Sequence, residues 1–182
     1  MRARLAVIGI LVGGLTALPA ISAEDWPFFV AQQGCKFEWE GPDGYRETAF
    51  SQGVASFPVI RFSRADWGPS VHPFTPFCAE MCGTAAGRAS LRSLFPLEVG
   101  KRASHVAFGR TVRLSVEEAV EVAHLQNLPA FVVRGEISGQ ADSLSWWAPS
   151  VGWLVGFETG DFAKTVVSID CPDGMRLPLF LS

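Results

Sequence analysis

Lys36-Phe37-Glu38-Trp39-Glu40 alternates charged and aromatic side chains without a break, and Gly41-Pro42-Asp43-Gly44 follows at once. A period of two puts Phe37 and Trp39 on one face of a pleated strand and the three charges on the other. Pro and Gly in the next four positions supply the backbone angles of a tight reversal. Tyr45 to Phe50 resumes the extended pattern, so the stretch predicts a hairpin.

The same grammar extends along the chain. Phe57 to Phe62 reads as a strand. Ser63 to Phe77 carries Pro69, Pro73 and Pro76 around Trp67 and reads as a long loop, of the kind that carries function. From Lys101 the signals become regular: Lys101 to Phe108, Arg110 to Leu114, Ala130 to Ile137, Leu144 to Trp147, Trp153 to Glu158 and Phe162 to Ile169 are strand candidates separated by Gly, Asp and Pro. Met175 to Leu181 follows the turn Cys171-Pro172-Asp173-Gly174 and could complete the sheet. Short strands at even spacing predict a mainly β, single-domain antiparallel fold, barrel-like or a sandwich.

Ser115 to His124 supports two readings. Ser115 and Glu118 form a capping box, and Val116, Ala119, Val120 and Ala123 have helical spacing. Glu118 to His124 also alternates as a strand, with Val120 and Val122 on one face. Local propensity leans to helix.

The first 23 residues, MRARLAVIGILVGGLTALPAISA, have the three parts of a secretory signal peptide: basic Arg2 and Arg4, an apolar run from Leu5 to Leu18, and small residues at Ser22 and Ala23. The run falls short of the roughly 20 residues that a spanning helix needs. Cleavage after Ala23 leaves 159 of 182 residues, the size of one ordinary domain. The richest later apolar run, Leu128 to Val133, is only strand-sized, so no transmembrane segment is expected after processing. A periplasmic or secreted location follows.

Removing Arg2 and Arg4 takes the 15 basic residues to 13 against 18 acidic ones, a net charge of −5. Nucleic-acid binding requires a basic stripe to neutralise phosphates. Arg88, Arg92, Lys101 and Arg102 are instead scattered among apolar residues, which argues against a nucleic-acid partner. The four cysteines, Cys35, Cys78, Cys82 and Cys171, all lie after the signal, and an even count in an oxidising compartment favours disulfides. Of the three connectivities, Cys35 with Cys171 and Cys78 with Cys82 is favoured, because the first ties the two ends of the domain and the second closes a local turn. The larger loop would contribute about 4 to 5 kcal/mol on the chain-entropy account.

Two blocks carry a family resemblance. Leu94-Phe95-Pro96-Leu97-Glu98-Val99-Gly100-Lys101 and Trp146-Trp147-Ala148-Pro149-Ser150-Val151-Gly152-Trp153 resemble the motif layout of β-rich bacterial envelope proteins of the TapB-like kind. The resemblance covers about Leu94 to Glu158. It departs from that layout where Gln126-Asn127-Leu128-Pro129 replaces a Gly-containing turn. It implies a strand for Val120 to Ala123, a β-rich fold and an envelope setting, with no reaction or ligand to carry over. Read physically, Pro149 and Gly152 close a turn, and Trp146, Trp147 and Trp153 supply large surfaces alternating across a pleat. Such aromatics are core or cross-strand pairs in one reading and, with Trp67, a ligand platform in the other.

Cys78-Ala79-Glu80-Met81-Cys82-Gly83 resembles the dinuclear copper loop of cytochrome oxidase subunit II. That loop needs a His four residues after the second Cys and a Met three further on, where this chain has Ala86 and Ala89. A looser soft-ligand site for cuprous copper, from His72, Cys78, Met81 and Cys82, is the alternative to a local disulfide. Glu80 between the cysteines works against a redox thiol, which wants a lowered pKa. No Gly-x-Ser-x-Gly elbow, phosphate-cradling loop or recognisable His motif is present: His72, His105 and His124 stand alone. Glu117, Glu118 and Glu121 read as a solvated acidic face. The expectation is a non-catalytic binding or structural module that needs no cofactor, and whose partner is an envelope protein or a small apolar ligand.

Overall fold

The computed structural model describes residues 34–54, 57–64, 68–72, 84–107, 109–172, 174, 176 and 177. The expected signal peptide lies outside the described residues. Among the described residues, eleven strands form one antiparallel sheet: β1 (Lys36–Glu40), β2 (Arg46–Val54), β3 (Phe57–Arg64), β4 (Gly68–His72), β5 (Arg102–Ala107), β6 (Arg110–Val122), β7 (Leu128–Ile137), β8 (Ser143–Ala148), β9 (Trp153–Thr159), β10 (Phe162–Asp170) and β11 (Arg176–Leu177). Their order is β4-β3-β2-β1-β10-β9-β8-β7-β6-β5, with β11 added on β10. The mainly β, antiparallel expectation is met.

Paired residues share a face, so the core follows the ladders. Phe37 stands between Ala49 and Ile169, Trp39 faces Val166, Leu114 faces Ala103, and Val116 faces Val133, all buried. The opening hairpin is as read from its alternation, and Asp43 takes the positive φ of 56° that the reversal needs. The Cys35–Cys171 disulfide joins the approach to β1 to the end of β10 across 136 residues, as the spacing of the cysteines suggested.

Two elements differ from the expectation, and a third had been left between two readings. Ser63 to Phe77 is not wholly loop, since β3 continues to Arg64 and β4 pairs with it from Gly68 to His72. Pro69 stands in an outer strand of the described sheet order, the place in a sheet where proline is tolerated. Second, a helix, α1 (Ala85–Arg92), follows Thr84, whose Oγ1 accepts a hydrogen bond from the Gly87 N–H at 3.0 Å. It buries Leu91 and lies along β5, where Ser90 Oγ donates to the Ser104 carbonyl at 2.8 Å. The glycines at 83 and 87 had hidden it.

Ser115 to Val122, open between helix and strand in the sequence, belongs to β6: the strand reading holds there and local helix propensity is overridden. The pairing with β7 explains the ambiguity. Val116 faces Val133 and Glu118 faces Val132, leaving Glu117 as the extra residue of a bulge. One inserted residue moves the following side chains to the other face. Apolar positions on the two sides of the bulge therefore mimic helical spacing.

The β6–β7 connection is a 3-10 turn, Ala123–Leu125, with Gln126 and Asn127 at φ 60° and 58° doing the work of the absent Gly. This turn reaches β10: His124 Nε2 lies 2.8 Å from the Val166 carbonyl oxygen. β6 and β10 are four strands apart in the sheet order, about 19 Å in a flat sheet. The contact therefore requires this part of the sheet to curl strongly, which gives the fold its barrel-like character.

Candidate functional site

The curl leaves a groove of ≈ 730 Å³ between the end of β6, the middle of β8 to β10 and the β1–β2 turn. A single row of cross-strand partners lines it from Glu40 to Trp146 and continues past it to Val132 and Glu118. Glu40 faces Thr165, Thr165 faces Gly156, Gly156 faces Trp146, Trp146 faces Val132, and Val132 faces Glu118. Trp146 is its largest member and is half-buried. The indole rests on Gly156, whose lack of a side chain makes room: a Cβ there would stand 2.9 Å from Cε3. Val120 and Val122, placed after the bulge, supply apolar wall beside Ala163 and Val167.

The closure at His124 is built from hydrogen bonds whose directions follow from the chemistry. The Val166 carbonyl can only accept, so His124 Nε2 carries the proton and donates to it. Thr165 Oγ1 lies 3.3 Å from the same nitrogen and donates its own hydrogen to the Val155 carbonyl at 3.2 Å. The imidazole thus straps the β6–β7 turn to β10.

Polar groups around the groove divide into two kinds. Lys164 pairs with Phe157 in the ladder, on the face opposite the Thr165–Gly156 row. Its ammonium lies 2.6 Å from Glu47 Oε2 and 4.7 Å from the centroid of Trp39. Tyr45 Oη donates to the same Glu47 oxygen at 2.6 Å. The Lys164 and Glu47 side chains are 17% and 7% exposed, so this is a buried, mutually neutralising cluster. Glu121, Glu158 and Asp161 by contrast are exposed lining residues, and among the described residues no cation is paired with any of them. Glu40, the fourth carboxylate, is held by Arg46 at 3.2 Å.

The structure separates the expected platform residues. Trp146 lines the groove. Trp147 and Trp153 are each only 2% exposed and belong to the core, where Trp147 meets Phe95 edge-on at 5.8 Å and Trp153 at 6.3 Å. They cannot be contact surfaces, because β8 and β9 bury them under the segment after α1. Trp67, Cys78, Met81 and Cys82 lie outside the described residues, as does the side chain of His72, so the second disulfide and the copper-ligand set fall there too. Sequence reasoning missed Gly156, Thr165, Glu158 and Asp161 as groove residues. Their only signal was the Gly156 gap in an otherwise bulky strand.

No protein-family model, curated protein or solved structure matches this chain.

Proposed function

We propose that the chain is an exported, non-catalytic binding module of the bacterial cell envelope that holds an apolar ligand against Trp146. One observation carries the reading: a half-buried indole, laid on a glycine, forms part of a groove whose size falls in the range used for small ligands. An aromatic surface held rigidly by its own sheet loses little entropy when a ligand covers it. The envelope setting rests on the N-terminal signal and on the Cys35–Cys171 bridge, a bond favoured in oxidising compartments.

The test uses N-phenyl-1-naphthylamine, a neutral apolar dye, with the mature protein and its Trp146→Ala variant. Binding weakened at least tenfold by the variant, with the circular dichroism spectrum unchanged, is the expected result. Equal binding by both proteins, or none by the parent, overturns the groove reading. Fractionation of cells expressing the full chain, with N-terminal sequencing of the product, tests export; an unprocessed cytoplasmic product overturns that part.

A further inference from the structure

We infer that the groove selects organic cations: small molecules in which an apolar body carries an amine or quaternary ammonium group. The inference rests on the groove being a ligand site and adds the ligand's charge. The lining contains Glu40, Glu121, Glu158 and Asp161 against one lysine. That lysine is already neutralised, since its ammonium is directed to the other face of the sheet and held 2.6 Å from Glu47. Glu40 is paired with Arg46. Glu121 alternates with Val120 and Val122 and so leaves from the opposite face of β6; Glu158 and Asp161 remain as two exposed carboxylates with no described cation against them, and together with the apolar wall they give the groove an uncompensated negative field.

The aromatic floor points the same way. Glu158 is two residues along β9 from Gly156 and so on the same face, about 7 Å from the glycine on which the indole rests. An ammonium over the indole face is attracted by the ring quadrupole, and from there it sits within one Debye length of the Glu158 carboxylate. Val120 and Val122 then face the apolar part of the same ligand. An anionic ligand would meet the two carboxylates without a free cation to offset them. A neutral one would use the apolar wall alone.

The experiment compares hexyltrimethylammonium with 1-hexanol and hexyl sulfate, which keep the hexyl chain and change the head-group charge. Binding is read by displacement of N-phenyl-1-naphthylamine and by the indole N–H resonance of Trp146, in low salt and in 0.5 M NaCl. The expected result is at least tenfold tighter binding of the cation than of the alcohol, a preference that shrinks in high salt. In the variant Glu158→Gln/Asp161→Asn the preference should vanish while 1-hexanol binds as before. These positions are exposed, so the variant is expected to fold, and its thermal midpoint checks that. Equal binding of all three probes, or tightest binding of hexyl sulfate, overturns the cation inference and leaves the apolar groove standing. Failure of every probe to bind or to shift Trp146 overturns both.

Discussion

Trp146 and Gly156 face each other across β8 and β9 with no space between them: a Cβ on Gly156 would lie 2.9 Å from the indole Cε3 and 3.1 Å from Cδ2. Gly156→Ala must displace the ring, and overpacking of this kind costs about 1 to 3 kcal/mol. Urea denaturation should show that loss in the parent and a smaller one in a Trp146→Ala background, where the clash is gone. Equal losses in both backgrounds would mean that the ring does not rest on the glycine.

Neighbouring tryptophans should behave differently. Trp147 is buried against Phe95 and Trp153, so Trp147→Ala is expected to cost about 3 to 5 kcal/mol. Trp146→Ala, at a half-buried position, should cost clearly less while weakening dye binding at least tenfold. Denaturation midpoints of the two variants check the order.

Lys164 and Glu47 form a buried ion pair. Lys164→Met strands the Glu47 carboxylate and should destabilise by about 3 to 5 kcal/mol. The double change Lys164→Met/Glu47→Leu removes both charges and should recover much of that loss. A double variant no more stable than the single one would place the cost in lost packing around Trp39.

Replacing Cys35 and Cys171 together by alanine opens a loop that spans 136 residues. The expected loss is about 4 to 5 kcal/mol on the chain-entropy account. Thermal unfolding of the parent with and without reductant should reproduce most of it.

His124→Ala removes the hydrogen bond to Val166, worth about 1 kcal/mol. Its larger effect should be local: amide exchange at Leu125 to Leu128 should quicken while β1 and β2 keep their protection. Uniform acceleration would show that the strap is part of the global unfolding unit.

Legibility followed the range of the interactions. Phe37 and Trp39 could be placed on a buried face because alternation over five residues is a local pattern, and Pro42 to Gly44 announced the reversal beside it. Cys35 and Cys171 were legible as partners for a different reason, namely that they bracket the domain. The segment from Ser115 to Val122 was not, since a bulge at Glu117 shifts its apolar positions and only the partner strand shows where the extra residue sits. The helix at Ala85 to Arg92 was lost to Gly87 within it and Gly83 before it, although Thr84 stood where a cap is wanted.

The sequence by itself determined the β class, the opening hairpin and most later strands, and favoured the long disulfide among three pairings, through side-chain periodicity, turn chemistry and cysteine placement. Only the tertiary structure decided which tryptophan meets solvent and where the site lies. Trp146 and Trp147 are chemically identical and adjacent, and a pleat sends them to opposite faces whose burial depends on what packs there. The groove draws on β1, β6, β8, β9 and β10, and it exists because His124 is carried to Val166 across four strands. That closure is set by the curl of the whole sheet, a property that no single stretch of sequence contains.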